Sequence, residues 1–158
     1  MTWTTFHRRG EVLHAVIGAV DARRDGLLPM DVPGVLETFG DQLTLLGALQ
    51  LRWHTRLSGH LERALMHQPL DLDEAAVTAW IAAADELPGT RLVLDHYREQ
   101  PLDERMRATL ATATTKERVL LAVMAGRGAA TARATAAAGA ELESRARALS
   151  RLRRRVAA

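Results

Sequence analysis

From Leu36 to His67 the chain carries a seam in steps of three and four: Leu36, Phe39, Leu43, Leu46, Gln50, Trp53, Leu57, His60, Ala64 and His67. That is a helix period, and of the kind found in bundles and coiled coils. It predicts one long helix from Val32 to His67, about 50 Å at 1.5 Å per residue. Asp31 is its expected N-cap, with Pro33 in the first turn and Pro69 as its stop. Leu45, Leu49 and Leu51 make its first half apolar nearly all round, which places that half at the centre of the fold. Gly40 and Gly59 are the expected points of a kink or break.

Helix breakers divide the rest of the chain. Trp3 to about Arg24 reads as a first helix with Phe6, Leu13, Ile17 and Val20 on one stripe, ended by Asp25-Gly26 and Pro29. Asp73 opens a helix to Leu87 with Val77, Trp80, Ile81 and Ala84 inward, and Pro88-Gly89 reads as a turn. Thr90 to Gln100 reads as a further helix, although Arg91 to Leu94 alone would also suit a strand. Asp103 opens the next, through Met106, Leu110, Leu120, Leu121 and Met124, with Thr112 to Thr115 as its weak point. Gly126 and Gly128 precede the last. The expected fold is all-α: a single-domain bundle of five or six helices around the long one. Residues 1–128 are its core, and 129–158 an Ala/Arg-rich helix packed on the same domain or at a dimer interface.

Size and composition agree with that reading. At 158 residues a chain buries roughly 68–70% of the surface it exposes unfolded, enough for one real core. With three Trp, two Phe and one Tyr, the core must be built from Leu, Val, Ala and Met, which favour helix. The absence of Cys removes disulfides, thiolate nucleophiles and thiolate metal sites together. The longest apolar run, around Leu43 to Leu51, falls far short of a membrane span. Arg8-Arg9 before Val12, Leu13, Val16, Ile17 and Val20 has the outline of a twin-arginine export signal. Glu11 and His14 interrupt that run and Asp21 closes it, so the cytoplasm is the expected location.

Charge is distributed unevenly. Residues 129–158 hold twelve Ala and seven Arg beside two acids, Glu141 and Glu143, so a tail of +5 follows a body of −3. Along this last helix Leu142, Ala146, Leu149, Leu152 and Val156 form an apolar seam, while Arg151, Arg153, Arg154 and Arg155 lie mostly off it. The stretch from Ala129 to Ala140 offers a neighbour almost only small side chains, so it is either tightly clasped or weakly held. The basic face suits three kinds of acidic counterpart: nucleic acid, a partner protein, or this chain's own acidic body. An anionic membrane fits less well, because the stripe has no Trp or Phe to insert. Twenty of the 21 basic residues are Arg, a usage that a GC-rich genome produces without selection for binding.

Residues Lys116 to Val156 resemble the helix-turn-helix of sigma-factor and response-regulator DNA-binding domains in outline. Glu117-Arg118-Val119-Leu120 opens a helix, Gly126 ends it, and Ser144-Arg145 leads into an Arg-rich helix. The chain departs from that pattern at Ala129 to Ala138, where Ala and Thr replace the large apolar residues. Glu141 and Glu143 would also meet phosphates with the wrong charge.

For a metal the candidates are Glu11 and His14, spaced as in the Glu-x-x-His of di-iron bundles, with His60 and His67 on the long seam. A second Glu-x-x-His is missing, and His7 and His14 lie about 10.5 Å apart along the helix, too far to share an ion. No nucleophile elbow or phosphate loop occurs. The expectation is therefore a non-catalytic helical protein acting through protein–protein contact, as a homodimer, without a cofactor. A nucleic-acid-binding regulator using the Arg-rich helix is the alternative, and a metal- or small-ligand-binding bundle the third reading. The expected interaction residues are Leu142, Leu149, Leu152 and Val156 with Arg151, Arg153, Arg154 and Arg155.

Overall fold

Gly40 decides where the longest expected helix divides. It adopts φ 78° and its N–H closes on the Leu36 carbonyl at 2.9 Å, a helix end that a residue with a Cβ would strain. Asp41 then starts a new helix: its carboxylate accepts the Thr44 N–H at 2.7 Å and its carbonyl the Leu45 N–H at 3.3 Å. Those bonds from the Thr44 backbone, first, and the Thr44 side chain hold the Asp41 carboxyl below the usual carboxylate range. The single helix expected from Val32 to His67 is thus two, and Leu36 turns out to solvent on the short first piece. Asp31 does not cap either piece. Both its oxygens bind the Arg23 guanidinium at 2.7 Å, and that bond holds its carboxyl low.

The computed structural model describes residues 2–67 and 70–158 and is all-α, with seven helices and no strand among them. They are α1 (Trp3–Arg23), α2 (Val35–Phe39), α3 (Gln42–Met66), α4 (Leu72–Glu86), α5 (Pro88–Glu99), α6 (Glu104–Met124) and α7 (Ala132–Ala157). Six match the segments read from the breakers, and the seventh comes from the break at Gly40. Pro69, the expected stop of the long helix, lies outside the described residues. No described helix is long and apolar enough to cross a membrane.

By contacts the chain forms two compact units, Met1–Trp53 with Leu87–Leu110 and His54–Glu86 with Ala111–Ala158. The division falls inside α3 and α6. α6 itself is continuous through Thr112 to Thr115, where Thr115 bonds back to the Ala111 carbonyl at 3.0 Å.

In the first unit α1 packs on α5 and α2. α5 begins at Pro88, two residues before the expected Thr90, with the proline at its first position. Gly89 makes that possible, since a Cβ there would fall on the Val20 backbone, and its N–H binds the Asp21 carboxylate at 2.8 Å. The buried stripe of α1 is Val12, Val16 and Val20. The expected stripe of Phe6, Leu13 and Ile17 lies roughly a quarter turn away and is partly or fully exposed. Trp3 and Phe6, at 75% and 62% exposure, stand on the first turns of α1, where every described residue up to Arg8 is open to solvent. Trp53 is buried with the Arg91 guanidinium 4.6 Å over its ring, and Arg91 is held by Asp95 at 2.9 Å.

The second unit holds the later parts of α3 and α6 with α4 and α7. Asp71, not Asp73, caps α4, accepting the Glu74 N–H at 3.0 Å. α4 is buried through Ala75, Ala76, Val77, Ala79, Trp80, Ile81 and Ala83, and pairs most extensively with α7.

Candidate interaction surface

α7 is clamped over its first two thirds and free over its last two turns. Thr131 caps it by accepting the Ala134 N–H at 3.1 Å. One turn on, the buried Thr135 hydroxyl accepts the Ala129 N–H at 3.0 Å. At Gly139 the helix passes so close to α6 that a Cβ would fall on the Arg118 carbonyl. The clasp is confined to Thr135 and Gly139, which are buried, while residues 129–134 stand open to solvent, so the stretch is tightly held at one crossing and exposed before it.

Past Gly139 a polar network locks the rotation of α7. Glu143 is buried at 3% exposure and accepts from Arg118 of α6 and from Arg147 one turn further along α7, both at 2.9 Å. Arg147 lies 4.9 Å over the Trp80 ring, and the Trp80 indole N–H donates to buried Glu117 at 3.4 Å. A buried carboxylate costs several kcal/mol unless charges and hydrogen bonds surround it, and here two guanidinium groups do so. Charged residues in such a place are tolerated only in one register, so the cluster fixes how α7 sits on α4 and α6.

Most of the arginines on this side of the unit are matched by acids of the same unit. Arg145 meets Glu74 at 3.0 Å, Arg153 meets Asp85 at 3.5 Å, and Arg127 meets Glu141 at 2.7 Å and Asp73 at 3.6 Å. Glu141, hydrogen-bonded to it, holds the Arg127 guanidinium above its ordinary range. Of the three acidic counterparts considered for the basic face, the chain's own body supplies one. The pairs also give direction: Glu74 lies by Arg145 and Asp85 by Arg153, so α4 runs alongside α7 and gives out at Glu86.

Beyond that point α7 continues alone. Ser150 is its last buried residue, and positions 151–158 are all exposed. The apolar seam divides here. Leu142 and Ala146 are core at 2% and 0%, so Leu142 is not available to a partner. Leu149, Leu152 and Val156 stand at 37%, 57% and 83% and form a stripe on the projecting end. Leu152 and Val156, with Ala157, Ser150, Asp85 and Arg153, line a shallow groove of about 520 Å³. Among the described residues Arg151, Arg154 and Arg155 make no ion pair.

The metal candidates fall elsewhere. Glu11 and His14 are exposed on α1, and His67 is exposed just past α3. His60 is in use: its Nε2 lies 2.7 Å from the Glu86 carboxylate and its Nδ1 3.0 Å from Arg63. No group of three or more His, Asp or Glu suited to an ion occurs among the described residues.

In sequence Glu117 reads as part of a helix start and Glu143 as an acid on a basic face, and neither reading places it in a buried network. The i,i+4 spacing of Glu143 and Arg147 was a visible signal, but Arg118 and Trp80 reach them only through the tertiary fold. No family model matches this chain, and comparison with curated proteins and with solved structures returns no match.

Proposed function

We propose that this chain is a non-catalytic helical module that works through protein–protein contacts, with a homodimer as its own assembly. One observation carries the reading: large apolar side chains stand exposed at helical spacing on the projecting ends of two helices. They are Trp3 and Phe6 on α1 and Leu149, Leu152 and Val156 on α7. Side chains of this size, grouped rather than scattered, mark contact surfaces more often than idle solvent exposure.

Self-association is best assigned to α1. Trp3, Phe6, Gly10, Leu13 and Ile17 follow one another in steps of three, four, three and four, a seam that continues past the buried stripe of its own unit. Gly10 has open space around it. Two copies laid antiparallel across Gly10 would set Trp3 against Ile17 and Phe6 against Leu13. Paired α7 ends would instead bring four arginines against four. Light scattering over the micromolar range tests this: the native chain is expected to dimerise and Trp3→Glu with Phe6→Glu to be monomeric. A native chain that stays monomeric throughout removes the homodimer.

The second reading is nucleic-acid binding by the end of α7, favoured by the three arginines without ion pairs. Its signature is a log–log salt dependence of slope about −0.9 per phosphate neutralised on duplex DNA.

A further inference from the structure

We infer that the projecting end of α7 is a docking site for an acidic amphipathic helix of a partner protein. The inference rests on the reading of α7 as a protein-contact surface and adds the chemistry of what it contacts.

The unit itself contains a template for the occupant. α4 lies along α7 with acids at its two ends, Asp73 and Glu74 at one and Asp85 at the other, and buried alanines between them. Those acids bind Arg127, Arg145 and Arg153 of the opposite side. A helix with carboxylates flanking an apolar strip is therefore what α7 already accepts alongside it, at Arg145 and Arg153, with Arg127 just before the start of α7. Where α4 stops, α7 presents the same kind of face: Leu152 and Val156 as an apolar strip, with Arg151, Arg154 and Arg155 lacking counter-charges. A second acidic helix would cover the strip and supply the missing carboxylates.

Charge and apolarity together separate this occupant from others. A second copy of α7 offers arginines to arginines. A nucleic acid would satisfy the arginines but leave Leu152 and Val156 facing phosphates, and no aromatic residue lies on this end to stack on bases. Only a surface that is both acidic and apolar answers both features.

The test uses the full chain and four probes: a leucine–glutamate amphipathic helical peptide, its leucine–lysine twin, a glutamate-only peptide and a short DNA duplex. Binding is read by fluorescence anisotropy. The leucine–glutamate peptide should bind best. Its affinity should fall about tenfold or more both in Leu152→Glu/Val156→Glu and in Arg151→Glu/Arg154→Glu/Arg155→Glu. The arginine variant should gain affinity for the leucine–lysine twin. All five positions are exposed, so thermal melts should be unchanged and loss of fold is separable from loss of binding. Equal binding of the glutamate-only peptide, or DNA binding at least as tight and indifferent to Leu152→Glu, overturns the proposal. So does a failure of the leucine–glutamate peptide to bind. Because self-association is read by light scattering through α1, a chain that dimerises yet ignores the peptide would refute this inference and leave the module reading standing.

Discussion

Two stretches of one helix, each carrying part of one apolar seam, have opposite fates. Ala132–Ser150 of α7 is pinned by a cap, a backbone-close crossing and a buried carboxylate between two arginines. Arg151–Ala157 continues the seam with Leu152 and Val156, is richer in Arg and poorer in Ala, and touches little beyond Asp85. The difference lies in the neighbours: α4 accompanies the first stretch and ends at Glu86, level with Arg153. The seam says what a helix can bury, and the length of its partner helps to decide how much of it is buried: Leu142 is core, while Leu152 and Val156 are not.

The contrast is broken or sharpened most strongly at Gly139. Gly139→Ala places a methyl on the Arg118 carbonyl, and backbone cannot step aside as a side chain can. A loss of about 4 kcal/mol is expected, above the usual 1–3 for overpacking, read as a fall in the denaturant midpoint. An unchanged midpoint would mean that the crossing of α6 and α7 is not close. Leu142→Ala follows, at about 3 kcal/mol for a core leucine, against Leu152→Ala within about 0.5 kcal/mol on the free end. Similar losses at the two would erase the distinction between the halves.

Glu143→Gln comes next. It keeps the shape but leaves Arg118 and Arg147 facing a neutral group. Because both guanidinium groups are partly exposed, the expected loss is about 1–2 kcal/mol, below the range for fully buried pairs. Salt should barely alter that loss, whereas any binding at Arg151, Arg154 and Arg155 should weaken steeply between low and moderate ionic strength. The smallest effect is expected for Arg151→Ala on thermal stability, near zero; a clear drop in the melting midpoint would mean that the end of α7 is held by something within the chain.

The course of the helices was largely legible in the sequence. Breakers at Asp25-Gly26, Gly126 and Gly128 and the three–four seams placed six segments, and Gly40 was one of two named weak points in the longest. Gly59, the other, does not interrupt α3, which shows that glycine permits a break without causing one. Facing directions were less legible. On α1 the sequence offers two apolar stripes a quarter turn apart, and period alone does not say which one a neighbour covers. On α7 the seam from Leu142 to Val156 is continuous in sequence, but burial stops where α4 stops, a fact stored elsewhere in the chain. Glu143 could not be recognised as buried, because a carboxylate between alanines and arginines looks like part of a solvated face until Arg118 arrives from α6.

The grip on Glu143 has a further consequence. A helix held by one buried carboxylate and two guanidinium groups cannot roll about its axis without stranding a charge. Its free end therefore points in a set direction before anything meets it. A partner would find the Leu152–Val156 strip already aimed and already helical, and would forfeit little conformational freedom on this side of the encounter. Dissociation, rather than capture, would then be the step that mutations at the tip alter most.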